Sequence, residues 1–415
     1  MPTEMFRLAL IFYNLALPVI SLLTAPSWLL KMVRRGGWGS GLTERVGIYD
    51  RDPEFEKQGA VYVHAVSVGE VLLALKLIEA WRAETGDHFI LVPTTATGME
   101  VAREKTPDFV RVIYAPIDFS FLLRRSFSRF APRAIVLMES ELWPNLIREA
   151  SKKSIPIGIA NARLSPRSGK RLLKFKSLVS PLLTKLDHIG VPEKEDVARW
   201  QAIGARPEAT VVTGNVKFDP QGAPAPERRS DFAEMLAAFG EKKIVMAVST
   251  FAGEEEFFAE TFRKVEGVLP VIVPRHAERR DEVNRAIDGQ VILRSQFSEA
   301  KGNEVFVIDS TGELRNWTAH ADVVVIGKSF ISKGGQNPAE AIQAGVPVIC
   351  GPHMANFEPL VTELKSANAI QMAETAQELE SAICSALENP AQFTAPATEV
   401  LLKHEGAVAR TIALF

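Results

Sequence analysis

Residues 61–78 read VYVHAVSVGEVLLALKLI. Val61–Val66 is a short apolar, β-branched run of strand length, and from Val71 the apolar residues Val71, Leu72, Leu75 and Ile78 follow a helical spacing. Only a few small residues join the two. A strand passing directly into a helix is half of a β-α-β unit, and the same rhythm recurs along the chain. Strand-like runs lie at Phe89–Thr94, Val110–Ala115, Ala134–Met138, Ile155–Ala160, His188–Val191 and Val211–Gly214. After Phe218–Ser230, which carries three prolines and two adjacent arginines and reads as a linker, the rhythm restarts. The second series is Ile244–Val248, Val268–Val273, Val291–Leu293, Val305–Ile308, Val323–Ile326 and Val346–Cys350. Strands separated by helices imply parallel sheets covered on both faces, so the fold class is α/β with two doubly wound domains. Ligands of such sheets bind beyond the carboxyl ends of the strands, and the expectation is a cleft between two facing domains.

The 415 residues are too many for one small module. With 47% hydrophobic and 24% charged residues, the chain has enough apolar content for large cores, which excludes a disordered protein. Forty-eight basic residues against 50 acidic ones give no overall attraction for a polyanion, so nucleic acid is not an expected partner. Two cysteines, Cys350 and Cys384, supply neither a disulfide framework nor a zinc site built on cysteine pairs.

Leu8–Thr24, LALIFYNLALPVISLLT, contains no charge and is followed by Trp28, Lys31, Arg34, Arg35 and Trp38. An apolar stretch with a basic and aromatic flank reads as an uncleaved membrane anchor whose following chain faces the cytosol. A cleaved signal peptide would carry its basic residues before the apolar run, and an amphipathic or buried core helix is the remaining alternative.

Several loops that follow strands carry polar groups suited to chemistry. In HAVSVGE, Ser67 and Glu70 have the Ser-x-x-Glu spacing of a helix capping box, and Glu70 is also placed as a general base. MESELWPN offers Glu139 and Glu141 just after a strand, either as site carboxylates or as ordinary partners of a helix start. Arg163 of NARLS, with Arg167, Lys170 and Arg171, forms a basic edge or a solvated helix face. GNVKFD places Lys217 where a phosphate or acidic sugar could sit. In the second half, Arg275 offers a fork of donors suited to phosphate, and DSTGEL around Gly312 is a tight turn. Gly334-Gly335-Gln336-Asn337-Pro338-Ala339-Glu340 combines adjacent glycines, a proline placed for a first helical turn and a carboxylate suited to ribose hydroxyls. A plain glycine-rich turn is the competing reading.

Taken in order, HAVSVGE, MESELWPN, NARLS, GNVKFD, PRH, TGEL, GGQNPAEA and GPHMANF resemble the 3-deoxy-D-manno-octulosonic acid (Kdo) transferase family. The resemblance implies a GT-B glycosyltransferase, two Rossmann-like domains facing a cleft, anchored at the cytoplasmic face of an inner membrane. It implies inverting transfer of Kdo from CMP-Kdo to a lipid A precursor in lipopolysaccharide assembly. Glu70 would be the proton acceptor, and Glu139 and Lys217 the transition-state stabilisers. Pro274, Arg275, Thr311, Gly312, Glu313, Asn337, Pro338, Ala339 and Glu340 would bind CMP. CMP-Kdo is then a donor substrate, with no further cofactor, and no His/Asp cluster in these loops suggests a protein-held metal. The expected organisation is an anchor at 1–35, an acceptor-binding domain at 36–218, a linker at 219–231 and a donor-binding domain at 232–415, with the last helix packing back on the first domain.

Three residues depart from the family pattern: Lys328 where glycine is usual, Gln336 where histidine is usual, and Phe251 where histidine is usual. All three fall on the donor side. The rival readings are another GT-B nucleotide-sugar enzyme, such as an epimerase, and a non-catalytic membrane-bound homologue. An epimerase would not need the apolar N-terminus, and a dead homologue would not need the Glu70 loop.

Overall fold

The computed structural model describes residues 2–34, 40–220, 226–297 and 304–415, with backbone alone at 2–5, 25, 27–34 and 40. The basic and aromatic flank at Trp28, Lys31, Arg34, Arg35 and Trp38 therefore lies outside the described side chains. The chain divides into two units, residues 1–221 with 404–415, and residues 222–403.

The first unit contains β1 (Val61–Ala65), β2 (Phe89–Pro93), β3 (Val110–Val112), β4 (Ala134–Met138), β5 (Ile157–Ala160), β6 (His188–Val191) and β7 (Thr210–Val212). They form one parallel sheet in the order β3-β2-β1-β4-β5-β6-β7. Strand residues alternate between two apolar layers. Tyr62, Ile90, Ile135 and Leu137 face one, and Val61, Val63, Leu91 and Val136 face the other. Helices cover both faces, which is why these strands read as continuous apolar runs rather than alternating ones. The order reverses between β1 and β4, and this switch point is where the loops after two neighbouring strands diverge and leave room for a ligand.

The second unit repeats the plan with β8 (Lys243–Thr250), β9 (Val268–Pro274), β10 (Val291–Leu293), β11 (Val305–Val307), β12 (Val323–Ile326), β13 (Val348–Cys350) and β14 (Gln371–Met372). The order is β10-β11-β9-β8-β12-β13-β14, all parallel, with the switch between β8 and β12. The sequence does not announce β14, because two residues carry no apolar periodicity.

The first helix is Pro2–Arg34, and within it Phe6–Thr24 is long and apolar enough to cross a membrane by length and composition. None of that stretch is buried, and Leu8, Phe12, Leu15, Leu22 and Leu23 are more than half exposed, which sets aside the buried-core reading. One side rests on the first unit: the Tyr13 hydroxyl donates to Asp118 at 2.8 Å, and Asn145 Nδ2 donates to Asn14 Oδ1 at 2.8 Å.

Residues 404–415 complete the first unit. Asp219, assigned by composition to the linker, is buried and caps the helix Ala407–Ile412, accepting the Gly406 and Val408 N–H groups at 3.1 and 2.6 Å. Val408 and Ile412 enter the apolar core, and the Phe415 ring lies 5.8 Å from Trp81.

Candidate active site

Ser67 caps the helix Val68–Thr85 at the carboxyl end of β1, accepting the Glu70 N–H at 3.4 Å. The Glu70 carboxylate returns the contact, accepting the Ser67 hydroxyl and the Val66 N–H, both at 2.8 Å. The capping reading is thus realised in the geometry. It does not exhaust the carboxylate, since two oxygens offer about four lone pairs and these contacts use two.

On the other side of the switch, Glu139 follows β4 with φ 57°, a left-handed conformation that a residue with a β-carbon adopts at a cost. Its N–H donates to Ala160 at 2.9 Å, holding the turn against β5. Burial raises the Glu139 pKa above the ordinary carboxylate range. The Arg163 charge lowers it, the Glu70 charge raises it, and Lys217 lowers it. Glu141 is also raised, by burial first and then by Glu70. Lys217 is drawn below the usual amine range by desolvation and Arg163, and pulled back by Glu139. Five groups from four loops therefore act on one another at the carboxyl edge of one sheet.

The loops are fixed from below. Asn161 Oδ1 accepts the Val216 N–H at 3.1 Å, tying NARLS to GNVKFD. Asn215 Oδ1 accepts the Lys217 N–H at 3.1 Å, and Lys76 Nζ donates to the Val216 and Asp219 carbonyls at 2.9 and 2.6 Å. Arg163 is held between Ala162, whose N–H donates to Gly190, and Leu164, whose N–H donates to Asp196.

In the second unit Arg275 follows β9, its N–H donating to Thr250 at 3.0 Å. Glu340 is raised by burial and lowered by Arg315 and then Arg275, so these three form a second group. Thr311 and Gly312 are exposed, while the Glu313 carboxylate accepts Arg294 at 2.9 Å and Arg229 at 3.5 Å. The glycine-rich turn is a structural necessity as well as an opening: Gly335 has φ 73°, and a β-carbon there would run into Met354. Asn337 Oδ1 accepts the Ala339 N–H at 3.1 Å, and the helix that follows, Ala339–Gln343, has five residues. So short a helix adds little dipole for an anion, and the cationic side chains carry that part of the site.

Glu141 and Arg163 were offered by the sequence with competing readings and no assigned role, and Arg315 was not singled out. Glu141 and Arg163 lay in quoted motifs, and Arg315 directly follows TGEL. Their roles depend on which loops become neighbours.

Two parallel, doubly wound sheets of this order are the GT-B glycosyltransferase fold. UDP-GlcNAc 2-epimerase from Neisseria meningitidis, solved with UDP-GlcNAc bound, superposes over 85% of this chain and 98% of its own with a TM-score of 0.57, at 13% identity. That likeness concerns fold alone. Residues 40–220 match the family model described as 3-Deoxy-D-manno-octulosonic-acid transferase (kdotransferase). The 3-deoxy-D-manno-octulosonic acid transferase of Haemophilus influenzae is 32% identical over 90% of both chains, and that of Bordetella pertussis 31% over 93% of this chain and 94% of its own. The chain belongs to the 3-deoxy-D-manno-octulosonic acid transferase family and is a glycosyltransferase.

Proposed function

We propose that the protein transfers Kdo from CMP-Kdo to a lipid A precursor with inversion at the anomeric carbon, as a step of lipopolysaccharide assembly. The observation that carries this reading is the gathering of Glu70, Glu139, Arg163 and Lys217 at the carboxyl edge of the first sheet. The acceptor hydroxyl oxygen bonds to the anomeric carbon from the face opposite the phosphate. The carbon–oxygen bond to CMP breaks with its electron pair, and the hydroxyl proton passes to Glu70. General-base help of this kind is worth ~10²–10⁴-fold.

Positive charge grows on the sugar as the bond to CMP breaks, and the Glu139 carboxylate meets it. Negative charge grows on the leaving phosphate, and Lys217 is the cation assigned to it. In the second unit Arg275 takes the nucleotide phosphate and Glu340 the ribose hydroxyls. Pro274, Thr311, Gly312, Glu313 and Asn337–Ala339 shape the rest of the nucleotide site. No protein-held metal enters this scheme. The apolar helix over Phe6–Thr24 anchors the protein at the cytoplasmic face of the inner membrane, where a lipid acceptor is presented.

Mass spectrometry of the product formed by purified protein, CMP-Kdo and a lipid A precursor tests the reading. The expected result is acceptor heavier by whole Kdo units. Consumption of donor without a heavier acceptor refutes the acceptor assignment.

A further inference from the structure

At the switch point of the second unit, β8 and β12 lie side by side, and the loops that leave them carry Phe251 and Lys328. Lys328 has φ 56°, the left-handed region that suits glycine. Its ammonium stands 4.8 Å from the Phe251 ring centroid, and His276, on the loop after β9, meets the same ring edge-on at 6.0 Å. The chain pins this arrangement from beneath. The fully buried Glu254 carboxylate accepts the N–H groups of Phe251 at 3.0 Å, Lys328 at 2.7 Å and Phe330 at 3.3 Å. The Lys328 carbonyl accepts the Gly335 N–H at 2.8 Å, joining it to the segment that leads to Glu340.

Some cations around this sheet are already neutralised: Arg279 pairs with Glu255 and Glu282, and Arg294 with Glu313. Among the described residues, no carboxylate lies within 4.0 Å of the cationic nitrogens of Lys328 or Arg275. A strained backbone, a buried carboxylate clamping both loops and an ammonium resting on a ring instead of an acid are together more than packing needs. Strain of this sort persists where the surroundings over-determine it, commonly at ligand sites.

We propose that Lys328, seated on Phe251, is an additional oxyanion contact of the donor site, supplementing Arg275 and helping to set donor specificity in this chain. The inference rests on the nucleotide-sugar reading of the second unit. The oxyanion is either the nucleotide phosphate or the carboxylate of an acid sugar, which share the chemistry an ammonium recognises.

The test uses the full-length protein in detergent and the variants Lys328→Met, Lys328→Gly and Phe251→Leu. Calorimetry with CMP and cytidine, and the KM for CMP-Kdo, separate the two sources. If the phosphate is the partner, Lys328→Met weakens CMP by ~10-fold and leaves cytidine unchanged. If the sugar carboxylate is the partner, CMP binds as before and the KM for CMP-Kdo rises ~10-fold. Phe251→Leu gives a smaller loss of the same kind, because the ammonium loses its ring face. Lys328→Gly loses the same affinity while melting at or above the parent temperature, since the left-handed strain is relieved. A merely structural lysine would instead lower melting and leave affinity alone. CMP affinity and KM within two-fold of the parent in both Lys328 variants would overturn the proposal. If the parent binds no CMP but binds UMP or pyrophosphate in a Lys328-dependent way, the donor reading falls and the oxyanion contact stands. If it binds none of the three, the contact itself is overturned.

Discussion

The two units reverse their strand order in the same manner, and each places a left-handed, non-glycine residue just past the tip of a switch-point strand: Glu139 after β4, and Lys328 two residues after β12. One is an acid and the other a base. Around Glu139 lie Glu70 and Glu141, with Arg163 and Lys217 restraining them; around Lys328 lie Phe251 and His276, with Arg275 on the next strand tip. The same backbone conformation therefore carries opposite charges in the two units. In the proposed transfer, the acidic edge takes up a proton and faces a developing cation, whereas the basic edge receives a phosphate.

The largest break in this comparison comes from Glu70→Gln. Glutamine keeps an acceptor for the Val66 N–H and a donor for Ser67, so the cap survives, but it takes up no proton. Turnover at saturating substrates should fall by ~10²-fold or more with little change in melting. CMP affinity, which the proposed function assigns to the other unit, should not move. A turnover within a few-fold of the parent would transfer the base role to Glu139.

Next in size, Glu340→Ala should weaken CMP binding by about ten-fold or more, because ribose hydroxyls would be buried without their acceptor. Calorimetry with acceptor analogues should show no matching loss; equal losses for both ligands would erase the division of labour between the units.

Arg163→Gln sharpens the acidic side. Arg163 holds Glu139 down against burial, so without it the carboxyl gains its proton at a higher pH and the acid limb of kcat/KM moves upward. At neutral pH the loss should be several-fold, and it should shrink as the pH is raised. A pH-independent loss would mean that Arg163 acts on substrate rather than through Glu139.

The smallest effect concerns His64, which β1 buries beneath the acidic edge, whereas the buried part of β8, Val245–Thr250, has only apolar residues and small hydroxyls. Neither ring nitrogen has a hydrogen-bond partner among the described residues, and burial pushes its pKa down to about 4. Below its ordinary value the unfolded chain binds a proton that the folded chain refuses, so stability falls as pH drops from about 6.5 to about 4. Thermal melting across that window should fall by several degrees more in the parent than in His64→Phe. Parallel curves would show that His64 finds a partner when charged.

Much of this architecture was legible because parallel strands covered on both faces become unbroken apolar runs, and thirteen of the fourteen strands were marked this way. Gln371–Met372 was not, since its place comes from pairing with β13. Glu139 stood out because it follows a strand directly, and Glu70 because it lies in the first turn of the helix that follows one. Arg163 did not, because its effect on Glu139 requires β5 to lie beside β4, and a solvated helix face explains the same letters. Arg315 was hidden for the same reason, its meaning arising only where Glu340 comes near. Nor did the letters reveal that Phe251 and Lys328 touch, although both departed from the family pattern; 77 positions of chain separate two residues that two adjacent strand tips bring together.

The return of residues 404–415 to the first unit has a consequence for the order of events during synthesis. When residue 221 has left the ribosome, the slots for Val408, Ile412 and Phe415 beside Trp81 are still open. Everything from 222 to 403 is translated before they can be filled. The second unit, continuous along the chain, is free to close first, and the first unit, although made earlier, closes last. A stop codon between positions 404 and 415 would therefore spare residues 222–403 and damage the unit that carries Glu70.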